Sequence, residues 1–153
     1  QVIQMLIPLA QNRSVEIITD FAEESIIMGD SQKFHQSLVN IMKNGIESMS
    51  SGGILTVGTE ATPTNVVITI KDTGSGMTDE QLSRLGEPYY STKGNQGTGL
   101  GILVVFSVIR AMNGNIHVES EVGVGTTFEL TFRSSLAYIP PVVEQEKGKM
   151  ISK

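Results

Sequence analysis

Cysteine and tryptophan are absent from this 153-residue chain, and aromatic residues make up only 5% of it. Without cysteine the chain can form no disulfide, no thiolate zinc site and no cysteine nucleophile, which is consistent with a reducing compartment. Positive charge is also scarce: the formal net charge of -5 argues against a nucleic-acid surface, because nothing offsets repulsion by the phosphates. Any anionic ligand must therefore be held locally.

Long hydrophobic runs are missing as well. The longest strongly apolar stretch, residues 102–109 (ILVVFSVI), is far too short to span a bilayer, and no signal-peptide pattern is present. The length and the 39% hydrophobic content suit one globular domain. Because the chain begins with Gln1 inside an apolar periodic segment, we expect an excised domain of a longer protein, residues 1–133, followed by a flexible tail, residues 134–153.

Hydrophobic periodicity predicts helices and strands that are grouped along the chain rather than strictly alternating. The predicted helices cover residues 2–12, about 31–50, 79–85 and 101–112, and the predicted strands cover residues 15–21, 54–60, 66–72, 116–121 and 127–132. This grouping favours an α+β fold, a two-layer sandwich in which helices cover one face of a mixed sheet. The helix at 101–112 is apolar on nearly every side, which predicts that it is buried.

Two asparagines, Asn40 and Asn44, lie in the second predicted helix, although asparagine is a poor helix former. Their i, i+4 spacing puts both side chains on one helix face, and an amide oxygen is a ligand that Mg2+ accepts. The alternative is that both lie on the solvated side, opposite Ile41 and Ile46, which is the more common arrangement for a helix considered alone. The pair therefore indicates a ligand only together with other motifs.

The predicted strand 66–72 ends at Asp72, which lies in phase with the apolar residues that face the core. Asp72 either accepts hydrogen bonds from the backbone of residues 73–75 in an Asx-type turn, or accepts one from a ligand amine. In the second case, Gly74 and Gly76 would let a flat ring approach the backbone. A D-x-G-x-G motif alone does not separate these two roles.

Gly97, Gly99 and Gly101 lead into the last predicted helix, within the stretch KGNQGTGLGI at residues 93–102. Backbone N–H groups at such a helix N-terminus form an anion site, to which Lys93 adds a positive charge, so a triphosphate would fit. The motif resembles a dinucleotide-binding fingerprint with Glu119 as its acidic residue, but it has the wrong glycine spacing and no preceding strand. A P-loop is excluded because no G-K-[ST] follows. The alternative to an anion site is a glycine-rich surface loop.

Thr126, in the segment GVGTTFELTF, lies in phase with the apolar residues of the last predicted strand and is therefore expected on its core-facing side. A hydroxyl in that position needs a hydrogen-bond partner, and we expect Asp72 with its bound amine to supply one. The alternative is a threonine in a tight turn after Gly125.

In this order, the asparagine helix, D-x-G-x-G, G-x-G-x-G and G-x-G-T-x-F resemble the catalytic ATP-binding domain of a sensor histidine kinase. That superfamily also holds gyrase, Hsp90 and MutL. The resemblance covers roughly residues 2–132. It implies a Bergerat-type α/β sandwich with ATP and Mg2+ as cofactors, in which adenine lies near Asp72 and a mobile lid, about residues 78–99, closes over the phosphates.

The resemblance also implies roles for individual residues. Asn44 would be the Mg2+ ligand, Asn40 would support the phosphates and the metal, and Lys43 would be a phosphate neighbour. Asp72 would accept the adenine amine, with Thr126 as its helper. Further nucleotide contacts are implied for residues of the D-x-G-x-G loop and of the lid hinge, namely Gly74, Gly76, Lys93, Gly97, Thr98, Gly99, Leu100 and Gly101.

Two positions depart from the common pattern of the family. Gly45 stands where alanine is commoner, a change that we expect merely to loosen the helix. Gly86 stands where many members have phenylalanine in an F-x-P-F box. The second variant resembles the nitrogen-regulatory and Bacillus sporulation branch, as does the segment at residues 97–123, so the resemblance favours a sporulation-type kinase.

The implied reaction is transfer of the γ-phosphate of ATP to a histidine. Neither His35 nor His117 begins a long helix in a His-Glu or His-Asp pair, so both are expected to be structural or surface residues. The acceptor is expected upstream of Gln1, in a dimerisation domain. The resemblance further implies a homodimeric full-length protein, a response regulator, and a protein inhibitor as a candidate partner, with no nucleic acid.

The resemblance implies a cytoplasmic domain and leaves open whether the full-length protein is anchored in a membrane. A competing function is that of an ATP-hydrolysing clamp of the same superfamily. Such clamps resemble one another in having a water-activating glutamate four residues before the metal asparagine, where this chain has Asn40, whose amide cannot act as a base. An ATP-sensing module without phosphotransfer and an anti-sigma serine kinase are two further functions that the same motifs would suit.

Overall fold

The computed structural model describes residues 2–21, 31–85 and 100–133. These residues form α1 (Val2–Asn12), β1 (Val15–Asp20), α2 (Ser31–Glu47), β2 (Gly53–Ala61), β3 (Asn65–Asp72), α3 (Asp79–Ser83), α4 (Leu100–Ala111), β4 (Asn115–Glu121) and β5 (Gly125–Arg133). Every element predicted from periodicity is present, and its ends lie within three residues of the prediction. The tail beyond residue 133 lies outside the described residues.

The five strands of the described residues form one mixed sheet in the order β1-β2-β3-β5-β4. β1 runs parallel to β2, and α2 provides the connection that a parallel pair requires. The other three pairs are antiparallel. The predicted α+β sandwich with a mixed sheet is therefore confirmed.

The core lies between one face of the sheet and the helices. Alternate strand residues face it, and α1 and α2 each contribute an apolar stripe at helical spacing. The α1 stripe is Val2, Leu6 and Ala10, and the α2 stripe continues past the helix end as Ile41, Met42, Ile46 and Met49. Phe34 of α2 packs edge-on against Phe132 of β5, with 5.5 Å between the ring centroids.

The prediction that the last helix is buried on nearly every side is wrong. Within residues 101–111 of α4 only Val105 and Ile109 are buried, and Val104 is 46% exposed. The helix packs with one face against α2 and β4, so its other apolar side chains remain partly exposed. In the part of the chain that the structure describes, no helix is both long and apolar enough to cross a bilayer.

Candidate functional site

Asp72, the last residue of β3, is a carboxylate in the core-facing line of its strand and is only 7% exposed. Its Oδ1 accepts hydrogen bonds from the N–H of Gly74 at 2.9 Å, the N–H of Thr126 at 3.2 Å and the hydroxyl of Ser48 at 3.4 Å. Among the described residues, no group donates to Oδ2. Because buried polar atoms are normally hydrogen-bonded, Oδ2 is a candidate acceptor for a donor from a ligand.

The electrostatics of this carboxyl are set by two opposing effects. Burial raises the pKa of Asp72, because desolvation disfavours the charged form. Hydrogen bonds from Gly74, Thr126 and Ser48 act in the opposite direction, but they do not cancel the effect of burial. A ligand N–H directed at Oδ2 would stabilise the charged carboxylate further.

The Asx-type contact considered from the sequence is present, since the N–H of Gly74 donates to Asp72. That contact uses Oδ1 only, so a structural role and a ligand role for Asp72 are compatible. A side chain at Gly74 would overlap the Ser48 side chain, and one at Gly76 would overlap the Glu121 carbonyl. Both glycines are thus required by packing within the protein, whatever ring approaches them.

The β4–β5 hairpin is fastened to the loop that follows Asp72. The N–H of Gly123 donates to the Ser75 carbonyl at 2.8 Å, and the N–H of Met77 donates to the Ser120 hydroxyl at 2.7 Å. The expectation that the Thr126 hydroxyl pairs with Asp72 is wrong. Thr126 lies opposite Ser120 in the register, and the two hydroxyl oxygens are 2.8 Å apart; only its backbone N–H reaches Asp72.

One face of α2 lies between Asp72 and the first turn of α4. Asn40 and Asn44 are half-buried, whereas Lys43 is exposed. A Cβ on Gly101 would lie 3.9 Å from the Asn40 amide, so the start of α4 faces Asn40. The N-terminal N–H groups of α4 are therefore near this asparagine, in an arrangement that suits an anion.

Gly45 does more than loosen the helix. A Cβ there would lie 3.1 Å from Cδ1 of Leu55 and 3.2 Å from Oδ2 of Asp72, both tighter than ordinary van der Waals contacts. The absence of a side chain lets α2 approach β2 and β3 closely. It also leaves space beside Oδ2 of Asp72, to which no group in the described part of the chain donates.

Several expected site residues lie outside the part of the chain that the structure describes. They are Lys93, Gly97, Thr98 and Gly99, together with most of the expected lid. Of the lid, residues 78–85 are described, and there Thr78 forms a capping box with Gln81 at the start of α3. Leu100 begins α4, and its side chain is outside the description.

The two histidines of the chain lie at exposed positions on α2 and β4. His35 and His117 are both exposed, as expected of surface residues, and Nε2 of His117 lies 3.1 Å from Oε2 of Glu119. Within residues 2–21, 31–85 and 100–133, no three His, Cys, Asp or Glu side chains cluster as a metal site. A metal here would need ligands from amides and from its substrate.

Two serines at the site were missed by the sequence analysis. Ser48 follows Asn44 by four residues, so the i, i+4 spacing that singled out the asparagines extends to it. Ser120 is in phase with Ile116 and Val118 on β4, which places it on the core side of an edge strand. Both hydroxyls bond to residues of the site: Ser48 to Asp72, and Ser120 to Thr126.

Asp72 Oδ2, which accepts from no group among the described residues, the polar face of α2 and the N-terminus of α4 form a candidate site. Its chemistry suits a small molecule with both an N–H donor and an anionic group. The family model described as histidine kinase-, DNA gyrase B- and HSP90-like ATPase matches residues 29–136. The chain belongs to this family.

Among curated proteins, sporulation kinase C of Bacillus subtilis (strain 168) is 42% identical over 105 residues, which is 69% of this chain and 24% of that protein. Sporulation kinase B of the same strain is 37% identical over 135 residues, which is 88% of this chain and 31% of that protein. The chain thus spans between about a quarter and a third of the length of these two relatives.

Solved structures show the same fold. The catalytic domain of histidine kinase ThkA superposes with a TM-score of 0.76 at 21% identity, over 86% of this chain and 87% of that one. Full-length ShkA in complex with AMPPNP superposes with a TM-score of 0.78 at 25% identity, over 93% of this chain and 31% of that one. The fold predicted from the order of the motifs is therefore confirmed.

Proposed function

We propose that this domain binds Mg-ATP and donates its γ-phosphate to a histidine in an upstream dimerisation domain, as the catalytic part of a sporulation-type sensor kinase. The observation that carries the proposal is the buried Asp72, whose Oδ1 is occupied by three donors while Oδ2 has none among the described residues. An exocyclic amine of adenine is a donor of the required kind. The sporulation kinases similar to this chain support the choice of branch.

The other end of the ligand would lie along α2. With the amine at Asp72, the triphosphate would extend past Asn44 toward Asn40 and the N-terminus of α4, where backbone N–H groups can donate hydrogen bonds to phosphate oxygens. Lys43 is exposed beside this face and would add a positive charge. We also assign phosphate contacts to Lys93, Gly97, Thr98, Gly99, Leu100 and Gly101.

Mg2+ fits the chemistry of this face. The ion prefers hard oxygen ligands and commonly takes few from protein, completing its shell with phosphates and water. We assign Asn44 as the protein ligand, with Asn40 supporting metal and phosphates. When bound, the ion would neutralise charge on the phosphates. The residues of this chain would hold the base, fix the direction of the triphosphate and leave the γ-phosphate exposed toward the acceptor.

The proposed partners lie outside this domain. The acceptor histidine belongs to a dimerisation domain upstream, so the full-length protein would be a homodimer, and a response regulator would take the phosphoryl group from that histidine. A protein inhibitor that blocks this association is a further candidate partner. We place the domain in the cytoplasm, where ATP is supplied.

Hydrolysis of ATP by a clamp-type relative is the competing function. Asn40 argues against it, because an amide cannot take a proton from an attacking water as a carboxylate can. Asn40 is half-buried and faces the start of α4, so it suits contact with phosphates better than activation of water.

Phosphotransfer is tested by mixing this chain with the histidine-bearing upstream segment and γ-labelled ATP. We expect label on the segment, and none when its histidine is replaced. Asn44→Ala and Asp72→Asn in this chain should both abolish labelling while the domain stays folded. Label released only as free phosphate, at the same rate with or without the segment, would contradict the proposal and favour hydrolysis.

A further inference from the structure

We infer that Ser48 is a positioning residue that holds the Asp72 carboxylate with Oδ2 turned toward the base of the nucleotide. The inference rests on the proposed function, because it concerns how the same site selects its ligand. Ser48 lies immediately after the last residue of α2 and is half-buried. It continues the face of the helix that carries Asn44 and Asn40, four and eight residues earlier.

Ser48 is fixed in place by contacts on several sides. Its hydroxyl donates to the Gly45 carbonyl at 2.7 Å and lies 3.4 Å from Oδ1 of Asp72. Its own carbonyl accepts a hydrogen bond from the N–H of Ser75 at 3.2 Å. The missing side chain at Gly74 leaves the room that the Ser48 hydroxyl fills. The position of this hydroxyl is therefore determined by both α2 and the loop after β3.

The three donors to Oδ1 come from three parts of the fold. Gly74 donates a backbone N–H from the loop after β3, and Thr126 donates one from β5. Ser48, at the end of α2, donates the only side-chain hydrogen bond that Asp72 accepts from the described residues. Donors on different sides of one oxygen restrict rotation of the carboxylate about its Cβ–Cγ bond. Oδ2 is thereby kept on the side of Gly45, next to the face that carries the asparagines.

The size of the effect follows from the proton that Ser48 has to share. A hydroxyl carries one proton, and the Gly45 carbonyl is the nearer of its two acceptors. The bond to Asp72 is therefore weaker than a full hydrogen bond to a carboxylate. We expect its removal to lower the preference for a nucleotide with an exocyclic amine by about three- to tenfold.

The test compares the affinities of ATP and of purine riboside triphosphate, which lacks the 6-amino group, in wild type and in Ser48→Ala. In Ser48→Ala, loss of positioning should weaken the binding of ATP and leave that of purine riboside triphosphate nearly unchanged. The ratio of the two affinities therefore falls. Ser37→Ala is the matched control, since Ser37 is a fully buried serine of α2 whose hydroxyl donates to the Lys33 carbonyl at 3.1 Å, away from Asp72. A general loss of structure would weaken the binding of both nucleotides equally and leave the affinity ratio unchanged.

Ser48→Cys covers the case in which alanine disturbs the packing, because a thiol fills similar space but is a weaker donor; its ratio should also fall. A wild-type ratio in both Ser48 variants would overturn the positioning role and leave the proposed function intact. If wild type itself shows no preference for ATP, or if Asp72→Asn keeps the preference, the proposed function fails instead.

Discussion

The two faces of α2 differ in what they contact. One face buries Ile41, Met42 and Ile46 against the sheet, each at most 3% exposed. The other carries Asn40 and Asn44, half-buried beside the start of α4 and the end of β3. One set of residues on this helix thus packs the core, and the other set faces the proposed nucleotide. Stability and nucleotide affinity should therefore respond to different substitutions in the same helix.

The largest expected effect is on the core face. Ile46 is fully buried, so Ile46→Ala should lower the free energy of unfolding by about 2–5 kcal/mol, because it removes packed methyl groups and leaves a cavity. Denaturant unfolding measures the loss, and ATP titration of the protein that remains folded should give the wild-type affinity. A large change in that affinity would show that the two faces are not separable.

The next effect is on the polar face. Asn44→Ala should weaken the binding of Mg-ATP by roughly tenfold or more, as expected when support for a metal is lost. Its effect on the free energy of unfolding should stay within about 1 kcal/mol, the range usual for substitutions outside the core. Calorimetric titration with and without Mg2+ measures both affinities. An equal loss in the absence of the metal would argue against Asn44 as its ligand.

A moderate effect is expected from pH. Because burial raises the pKa of Asp72, its carboxylate takes up a proton at a higher pH than an ordinary aspartate, and ATP affinity should begin to fall there as the solution is acidified. Stability should respond in the opposite direction: with a folded pKa above the unfolded one, the favourable contribution of Asp72 is present at low pH and is lost as pH rises through the folded pKa. ATP affinity and the free energy of unfolding are measured across the acidic pH range for wild type and for Asp72→Asn, which separates the effect of this carboxyl from that of the others. If the variant shows the same pH dependence as wild type, Asp72 is not the group responsible.

The smallest effect is expected where the two faces meet. Gly45→Ala gains helix propensity of about 1 kcal/mol, but its methyl group would press on Leu55 and on Oδ2 of Asp72. We expect the two contributions to offset each other in stability, and ATP affinity to fall by about two- to threefold as the carboxylate is displaced. Tighter ATP binding in this variant would contradict the view that the site depends on the position of Oδ2.

Hydrophobic periodicity is sufficient to predict which face of α2 is buried and that Asp72 points toward the core. The stripe of α2 and the alternation of β3 report burial directly, because each element has one core-facing side. The apolar surface of α4 misled the prediction, since composition does not say which neighbours cover a helix. Val104 is left partly exposed although its helix is almost entirely apolar.

Partners across the sheet could not be read from the sequence. In the registers of the sheet Thr126 lies opposite both Asp72 of β3 and Ser120 of β4. Its backbone N–H donates to Asp72, and its hydroxyl lies 2.8 Å from that of Ser120. The glycines at 74 and 76 likewise accommodate Ser48 and Glu121, residues distant in sequence. Such contacts depend on tertiary structure, whereas the motifs report only which residues are available.

Asp72→Asn gives the most direct test that the ligand is held by Asp72 and the polar face of α2 rather than by the general integrity of the fold. ATP affinity and the free energy of unfolding are measured on the same samples near neutral pH. We predict an affinity at least about tenfold lower and a stability equal to wild type or higher, because a buried amide carries no charge to desolvate. Wild-type affinity, or a loss of affinity that merely follows a loss of stability, would contradict the account.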